Sequence, residues 1–520
     1  MLLNEFLEKS AALYPDKIAL VCRNQRFTYV EINNAANSLS STLIAEGFQS
    51  QDRAIVYLDN SVESVISLFG ILKAGGIFVM VDPQVKARKL EYVLGDCKAR
   101  ALITDTEHLG NVSEAVSRSP NLEQIIVTDY EKASTINELI AGPKLLSYKT
   151  ILEECSAVRT APSRIDIDLA SLIYTSGSSG SPKGVMLTHH NMVSAATSIT
   201  QYLENTSDDI VLDTLPLAFD YGLYQVLMAF MFGGTVILEK AFVYPQQVIN
   251  IIVKEKVTGW PIVPTIAAIL ARLKNLDKHD FSSLRYITST GQALPPTHIA
   301  YLREAFPRVK IFSMYGLTEC KRVAYLPPEE LEKRPGSVGK AMPNTEAYIV
   351  NENGEEITEA GKAGELVVRG SNVMKGYWNL PEETAKALRP GPYPGEKVLY
   401  TGDLFNKDKE GYLYFLGRKD DIIKTAGHMV SPKEVENVLY EREDVVEAAV
   451  IGVEDEILGK TVKAFVHLTD ASQATEEDII KFCSERLEDC AVPKSVIFCG
   501  ALPKTTTGKV QKRDLLSIKP

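Results

Sequence analysis

Several feature sets that would assign a chain to a large class are missing here. The seven cysteines, at 22, 97, 155, 320, 483, 490 and 499, form no C-x2-C pair and no Cys/His metal spacing, so they read as reduced thiols of a cytoplasmic protein. Basic residues are outnumbered, with 56 Lys and Arg against 67 Asp and Glu and a net charge of -11, which excludes a general nucleic-acid or anionic-membrane surface. No apolar run reaches membrane-spanning length: the stretch from Val226 to Leu238 is short and broken by Gly233-Gly234, and reads as a buried core element. The opening Met1-Leu-Leu-Asn-Glu-Phe-Leu-Glu-Lys has acids where a secretory signal has bases. Aromatic residues make up 8% of the chain. A small-molecule ligand is therefore the expectation, with no nucleic-acid or membrane partner.

What is present is an ordinary globular composition, 45% hydrophobic and 24% charged over 520 residues. Single cores stop growing near roughly 250–300 residues, so two or more domains are expected. From Thr28 to Asp105, and again through Val211-Leu, Thr235–Leu238 and Tyr286–Thr288, helical patterns alternate with short apolar runs, which predicts stacked βα units and mostly parallel sheet. Near residue 340 the texture becomes alternating runs separated by Asn, Gly and Asp turns, which predicts a small antiparallel barrel over about 340–417. The charged Arg418-Lys-Asp-Asp421 then reads as an exposed linker. Two amphipathic helices and two strands beyond it predict a small α+β domain. The division is 1–417 and 418–520.

Between two strand-like runs lies Tyr174-Thr-Ser-Gly-Ser-Ser-Gly-Ser-Pro-Lys-Gly184. Small residues let backbone N–H groups approach an anion, hydroxyls add donors, and Lys183 adds a point charge. This is the chemistry of a phosphate cradle. It is not a Walker A loop, because Lys183 is followed by Gly184 and a second strand rather than by Ser or Thr and a helix. A flexible turn between strands is the plain alternative.

Four further motifs follow in order: Tyr315-Gly-Leu-Thr-Glu319, Tyr400-Thr-Gly-Asp403, Gly417-Arg-Lys-Asp420 and Pro503-Lys-Thr-Thr-Thr-Gly-Lys509. Together with the loop they resemble, essentially end to end, the superfamily of acyl-CoA synthetases, peptide-synthetase adenylation domains and firefly luciferase. The resemblance implies ATP-dependent activation of a carboxylate as its acyl-AMP. It places Thr175, Ser176, Gly177, Ser178, Ser179, Gly180 and Lys183 on the ATP phosphates. Gly291, Gln292, Tyr315 and Gly316 fall on the nucleotide; Gln292 stands where many members have Glu. Asp403 and Arg418 correspond to the ribose ligand and its cationic partner, Thr318 to a phosphate donor, and Glu319 to the Mg²⁺ ligand, a hard oxygen suited to that ion. Lys509 corresponds to the catalytic cation on the reacting carboxylate and α-phosphate. Asp420 matches the hinge about which the C-terminal domain rotates between half-reactions, and Gly427 the lining of the tunnel for the acceptor thiol. Each has a plainer alternative, such as a solvated acid for Glu319, an ordinary turn residue for Asp403 or a strand-to-helix turn for Gly427.

The substrate is approached through Asp220, an acid following the apolar run from Leu215 to Phe219, costly to bury without a partner. In peptide-synthetase adenylation domains a Phe-Asp here holds the substrate's α-ammonium, which implies an amino acid. The alternative is an ion pair with Lys321 or Arg322. By the same resemblance the pocket comprises Tyr221, Tyr224, Thr265, Thr288, Thr290, Met314, Arg322 and Val323. The strings Phe219-Asp-Tyr-Gly222 and Thr318-Glu-Cys-Lys-Arg-Val323 resemble free-standing prolyl-carrier-protein ligases, so L-proline is the expected substrate. The phosphopantetheine thiol of a separate peptidyl carrier protein is the expected acceptor, since no carrier module follows Lys509 in this sequence; free CoA stays open. Two competing readings are an acyl-CoA ligase on a fatty or aryl acid and a non-catalytic nucleotide-binding protein.

Overall fold

The computed structural model describes residues 1–116, 118–129, 142–154, 164–176, 182–273, 276–291, 294–425, 428–455, 459–504 and 510–518. The expected βα alternation is present: helices Tyr29–Ala45 and Val62–Lys73 separate short strands such as Arg53–Val56 and Ile77–Met80. The helix Tyr29–Ala45 begins where it does because Thr28 and Glu31 form a reciprocal capping box, satisfying donors that the helix itself leaves open. The strands Arg53–Val56, Ile77–Met80, Ala101–Thr104 and Gln124–Val127 pair in parallel and are almost wholly buried, as continuous apolar runs covered by helices should be.

A second sheet of fourteen strands has a parallel centre in which Thr235–Leu238, Ile210–Asp213, Gly259–Ile262, Tyr286–Ser289 and Lys310–Tyr315 are successive neighbours. The stretch from Val226 to Leu238 is, as expected, interior: a helix Asp220–Phe232 followed by one of these strands. The barrel expected over 340–417 does not close. Its strands are antiparallel, but Ser337–Ala341 pairs on one side with Ala324–Leu326 and on the other with Leu413–Arg418, so they prolong the large sheet. Thr345–Val350 stands at the end of that order. Alternating patterns report pleat and exposure, and an open antiparallel extension produces the same alternation as a barrel wall.

A five-stranded sheet from Ile423 onward packs with the helices Pro432–Leu439 and Glu476–Ser484. Its two apolar clusters contain only residues between Ile423 and Ile518, a small unit with its own core. Between the two parts, exposed Arg418 ends the strand Leu413–Arg418, and Lys419, Asp420 and Asp421 are exposed in the turn that follows. Among the described residues no helix is long and apolar enough to cross a membrane.

Candidate functional site

In open parallel sheets ligands bind beyond the carboxyl ends of the strands. Here those ends deliver Asp220 after Ile210–Asp213, Thr290 and Gly291 after Tyr286–Ser289, and Gly316 to Thr318 after Lys310–Tyr315. All of these residues line one cavity.

The segment 315–323 is folded back on itself. Lys321 N–H donates to the Leu317 carbonyl at 2.7 Å and Val323 N–H to Tyr315 at 2.9 Å. The tightness requires Gly316, where a Cβ would stand 2.0 Å from the Lys321 carbonyl oxygen. Lys321 itself has φ +65°, a conformation that costs a non-glycine residue energy and that clusters at functional sites. Buried Asn372 holds the turn, its amide donating to the Cys320 carbonyl at 2.8 Å and the Arg322 carbonyl at 3.0 Å.

This turn places two cations in the cavity opposite one acid. Lys321 Nζ lies 3.5 Å from the Asp220 carboxylate, with side chains 3% and 11% exposed, and 5.1 Å from the Tyr224 ring centroid. Burial lowers the Lys321 pKa, and Asp220 raises it in part. The Arg322 guanidinium stands over the Tyr221 ring, centroid distance 5.3 Å. Tyr221 is fixed in turn, its hydroxyl donating to the Thr288 carbonyl at 2.8 Å. The cavity measures about 40 Å³, a few times the ~10–15 Å³ that one water needs by such a measure.

Two polar constellations adjoin it. In one, Asp403 accepts from the Tyr315 hydroxyl at 2.5 Å and pairs with Arg418 at 2.9 Å, brought into register by the strands Lys397–Lys407 and Leu413–Arg418. Gly402 before it has φ +71°, a turn that glycine adopts freely. In the other, Tyr377 joins two motifs far apart in sequence: its hydroxyl donates to Glu319 at 2.8 Å, and its ring centroid lies 5.3 Å from Lys183 Nζ. Lys183 is also paired with Glu383 at 2.6 Å, which, with Lys386, draws the Glu383 pKa down to about 2. The strands Leu169–Ser176 and Pro182–Thr188 flank the glycine-rich loop as an antiparallel pair, Thr175 opposite Lys183.

Two family profiles match this chain, one described as AMP-binding enzyme over residues 7–378 and one as AMP-binding enzyme C-terminal domain over 434–509. The chain belongs to the AMP-binding enzyme family. It is 34% identical to a long-chain-fatty-acid–CoA ligase of Bacillus subtilis (strain 168), over 99% of this chain and 94% of that protein. It is 29% identical to a linear gramicidin synthase of Brevibacillus parabrevis, over 99% of this chain and 10% of that much longer protein. Among solved structures it is similar to the anthranilate CoA ligase AuaEII in complex with anthranoyl-AMP, with a TM-score of 0.88 and 29% identity over 99% and 97% of the two chains. The chain is thus an adenylate-forming enzyme of the superfamily that its motifs resemble, an AMP-forming acid–thiol ligase.

Of the residues singled out from sequence, Asp220, Tyr221, Tyr224, Thr290, Gly291, Gly316, Thr318 and Arg322 line the cavity described above. Thr265 lines a second, larger cavity, which Phe219 also borders. Thr288 backs the cavity through its bonds to Tyr221, while Met314 and Val323 are packed in the main apolar core. Of the two partners proposed for Asp220, Lys321 is the one in contact. Gly177, Ser178, Ser179, Gly180, Gln292, Gly427 and Lys509 lie outside the described residues, as does the Ser176 side chain. The flanks of the Lys509 segment close on each other, Lys504 bridging to Val510. Tyr377 and Glu383 escaped sequence reasoning. The only local signal is the aromatic pair Tyr377-Trp378 after Gly376, a strand whose partner lies nearly two hundred residues earlier.

Proposed function

We propose that this enzyme adenylates a small amino acid and passes the aminoacyl group to a phosphopantetheine thiol. The observation that carries the amino-acid part is Asp220, a carboxylate in a small cavity that Thr290, Gly291 and Thr318 also line. An ammonium group finds one acid, Asp220, among the described residues that line this cavity. Within the class the strings at 219–222 and 318–323 single out L-proline as the first compound to assay, and a peptidyl carrier protein as the first acceptor.

In this reading a substrate carboxylate oxygen attacks the α-phosphorus of ATP, and the bond to the pyrophosphate oxygen breaks. Asp403, braced by Tyr315 and Arg418, offers carboxylate oxygens to the ribose hydroxyls. Lys183 exchanges Glu383 for phosphate oxygens, together with the hydroxyls of Thr175, Ser176 and the loop to Gly180. Glu319 fits Mg²⁺, since its carboxylate accepts from Tyr377 and forms no direct ion pair among the described residues, Lys321 and Arg418 acting on it only through longer-range attraction; no cluster of three or more ligating side chains exists among them, as would suit an ion taking one carboxylate together with phosphates and water. That ion would neutralise charge developing on the pyrophosphate. Lys509 supplies the cation at the reacting carboxylate. The unit from 418 onward, turning about Asp420, then withdraws Lys509 and presents Gly427 to the arriving thiol, whose sulfur attacks the acyl carbon as AMP departs.

A second reading, a CoA ligase for a fatty or aryl acid, is favoured by Lys321, which already neutralises Asp220, and by the 34% identity to a fatty-acid ligase. ATP–pyrophosphate exchange over the amino acids, short and long fatty acids and benzoates separates the two. Exchange driven by an amino acid is expected; exchange driven only by acids without an amine would reject the proposal.

A further inference from the structure

Arg322 is the least compensated charge around the substrate cavity. The residue is 6% exposed and lines the cavity, and among the described residues no Asp or Glu forms an ion pair with it, whereas neighbouring Lys321 has Asp220. Its Nε is buried without a hydrogen-bond partner. What surrounds the guanidinium is two tyrosines, the Tyr221 ring beneath it and the Tyr202 hydroxyl beside it, whose oxygen accepts from the guanidinium; one neutral acceptor does not match its five N–H donors. A lysine so placed could shed its proton, but a guanidinium cannot, so its burial cost must be offset by an acceptor. The backbone that carries it is fixed, with Arg322 N–H bonded to the Cys320 carbonyl at 2.9 Å and its own carbonyl held by Asn372. It is a rigidly mounted fork of donors facing a cavity.

We propose that Arg322 is a specificity residue that binds an oxygen acceptor, a carboxylate or hydroxyl, on the body of the substrate and distinct from the reacting carboxyl. The inference rests on the adenylation reading of this cavity and narrows its substrate to acids carrying a second oxygen function. L-Proline ends in a methylene at that place; trans-4-hydroxy-L-proline and L-aspartate do not. The charge count agrees, since Asp220 and Lys321 cancel and Arg322 leaves one positive charge for an anionic or strongly polar group.

The test is kcat/KM in ATP–pyrophosphate exchange for three matched pairs: trans-4-hydroxy-L-proline with L-proline, L-aspartate with L-alanine, and succinate with butyrate, which lack the amine. The wild-type chain should prefer the oxygen-bearing member of at least one pair by roughly tenfold or more, since a site built to bond an oxygen is left with unpaired donors by the analogue lacking it. Arg322→Met should shrink that preference to within about threefold, and Arg322→Lys, which keeps the charge but loses the fork, should fall between. The melting temperature of Arg322→Met should not fall below that of the wild type; a marked fall would assign Arg322 to stacking on Tyr221 and overturn the proposal. So would a wild-type preference for the plain member, or a preference that survives in either variant. Oxygen preference confined to succinate, with every amino acid inert, would reject the amino-acid reading and leave Arg322 standing; amino-acid activity without oxygen preference would reject Arg322 alone.

Discussion

Asp220 and Lys321 can be separated from each other by a double-mutant cycle. The pair lies in the interior, 11% and 3% exposed, at 3.5 Å, so Asp220→Ala leaves a buried ammonium without its ion-pair partner, with only the longer-range attraction of Glu319. Removing one partner of a buried ion pair costs about 3–5 kcal/mol. Part of this is avoidable here, because burial already lowers the Lys321 pKa and loss of Asp220 lowers it further, letting the side chain become neutral. We expect a loss of about 2–4 kcal/mol for Asp220→Ala and a smaller loss for Lys321→Met. The double variant should lose less than the sum by about 1–3 kcal/mol, as contacting charges do. Trp260, fully buried in the same apolar cluster, reports the relevant unfolding transition by fluorescence in urea. Activity should not follow stability. If Asp220 binds the substrate ammonium, both Asp220→Ala and the double variant lose amino-acid-dependent pyrophosphate exchange by roughly 100- to 1000-fold, about 3–4 kcal/mol of transition-state binding. If Asp220 serves only to neutralise Lys321, the double variant regains wild-type exchange, and that result refutes the amine clamp.

Tyr377→Phe removes the hydroxyl on Glu319; a hydrogen bond to a charged group is worth about 1.5–3 kcal/mol, so the apparent KM for Mg-ATP should rise by tenfold or more, read by titrating magnesium and ATP in the exchange assay. Gly316→Ala puts a methyl 2.0 Å from a backbone oxygen, which no side-chain movement relieves; we expect loss of exchange with every acid, checked beside far-ultraviolet circular dichroism to show that the remainder is folded. His189 is buried and accepts from Leu3 N–H at 3.0 Å; burial, with help from Arg164, lowers its pKa to about 4. The unfolded chain therefore binds the extra proton between the ordinary histidine value of 6.5 and about 4. Stability should fall by up to ~3 kcal/mol as pH drops through that window and level off below it. His189→Gln should flatten the slope in urea unfolding at pH 7, 5.5 and 4.5.

The layered sheets, the strand-flanked phosphate loop and the small C-terminal unit were readable because each rests on local pattern: the periodicity of buried strands, the glycine and hydroxyl content of one loop, the amphipathic helix after Ser431. The barrel over 340–417 was misread because closure depends on which strand Ser337–Ala341 pairs with, and alternation contains nothing about partners. The cavity shows the same division. Asp220 stood out as an acid after an apolar run, and its pairing with a cation from 321–322 was open from the sequence. Which cation could not be read, because the choice is made by the backbone of the turn: at φ +65° Lys321 points to Asp220 and Arg322 is turned toward Tyr221. Adjacent residues of equal charge thus acquire different partners, one an acid and the other the neutral side chains of Tyr221 and Tyr202. That difference makes Arg322, rather than the neutralised Lys321, the cation left for the substrate.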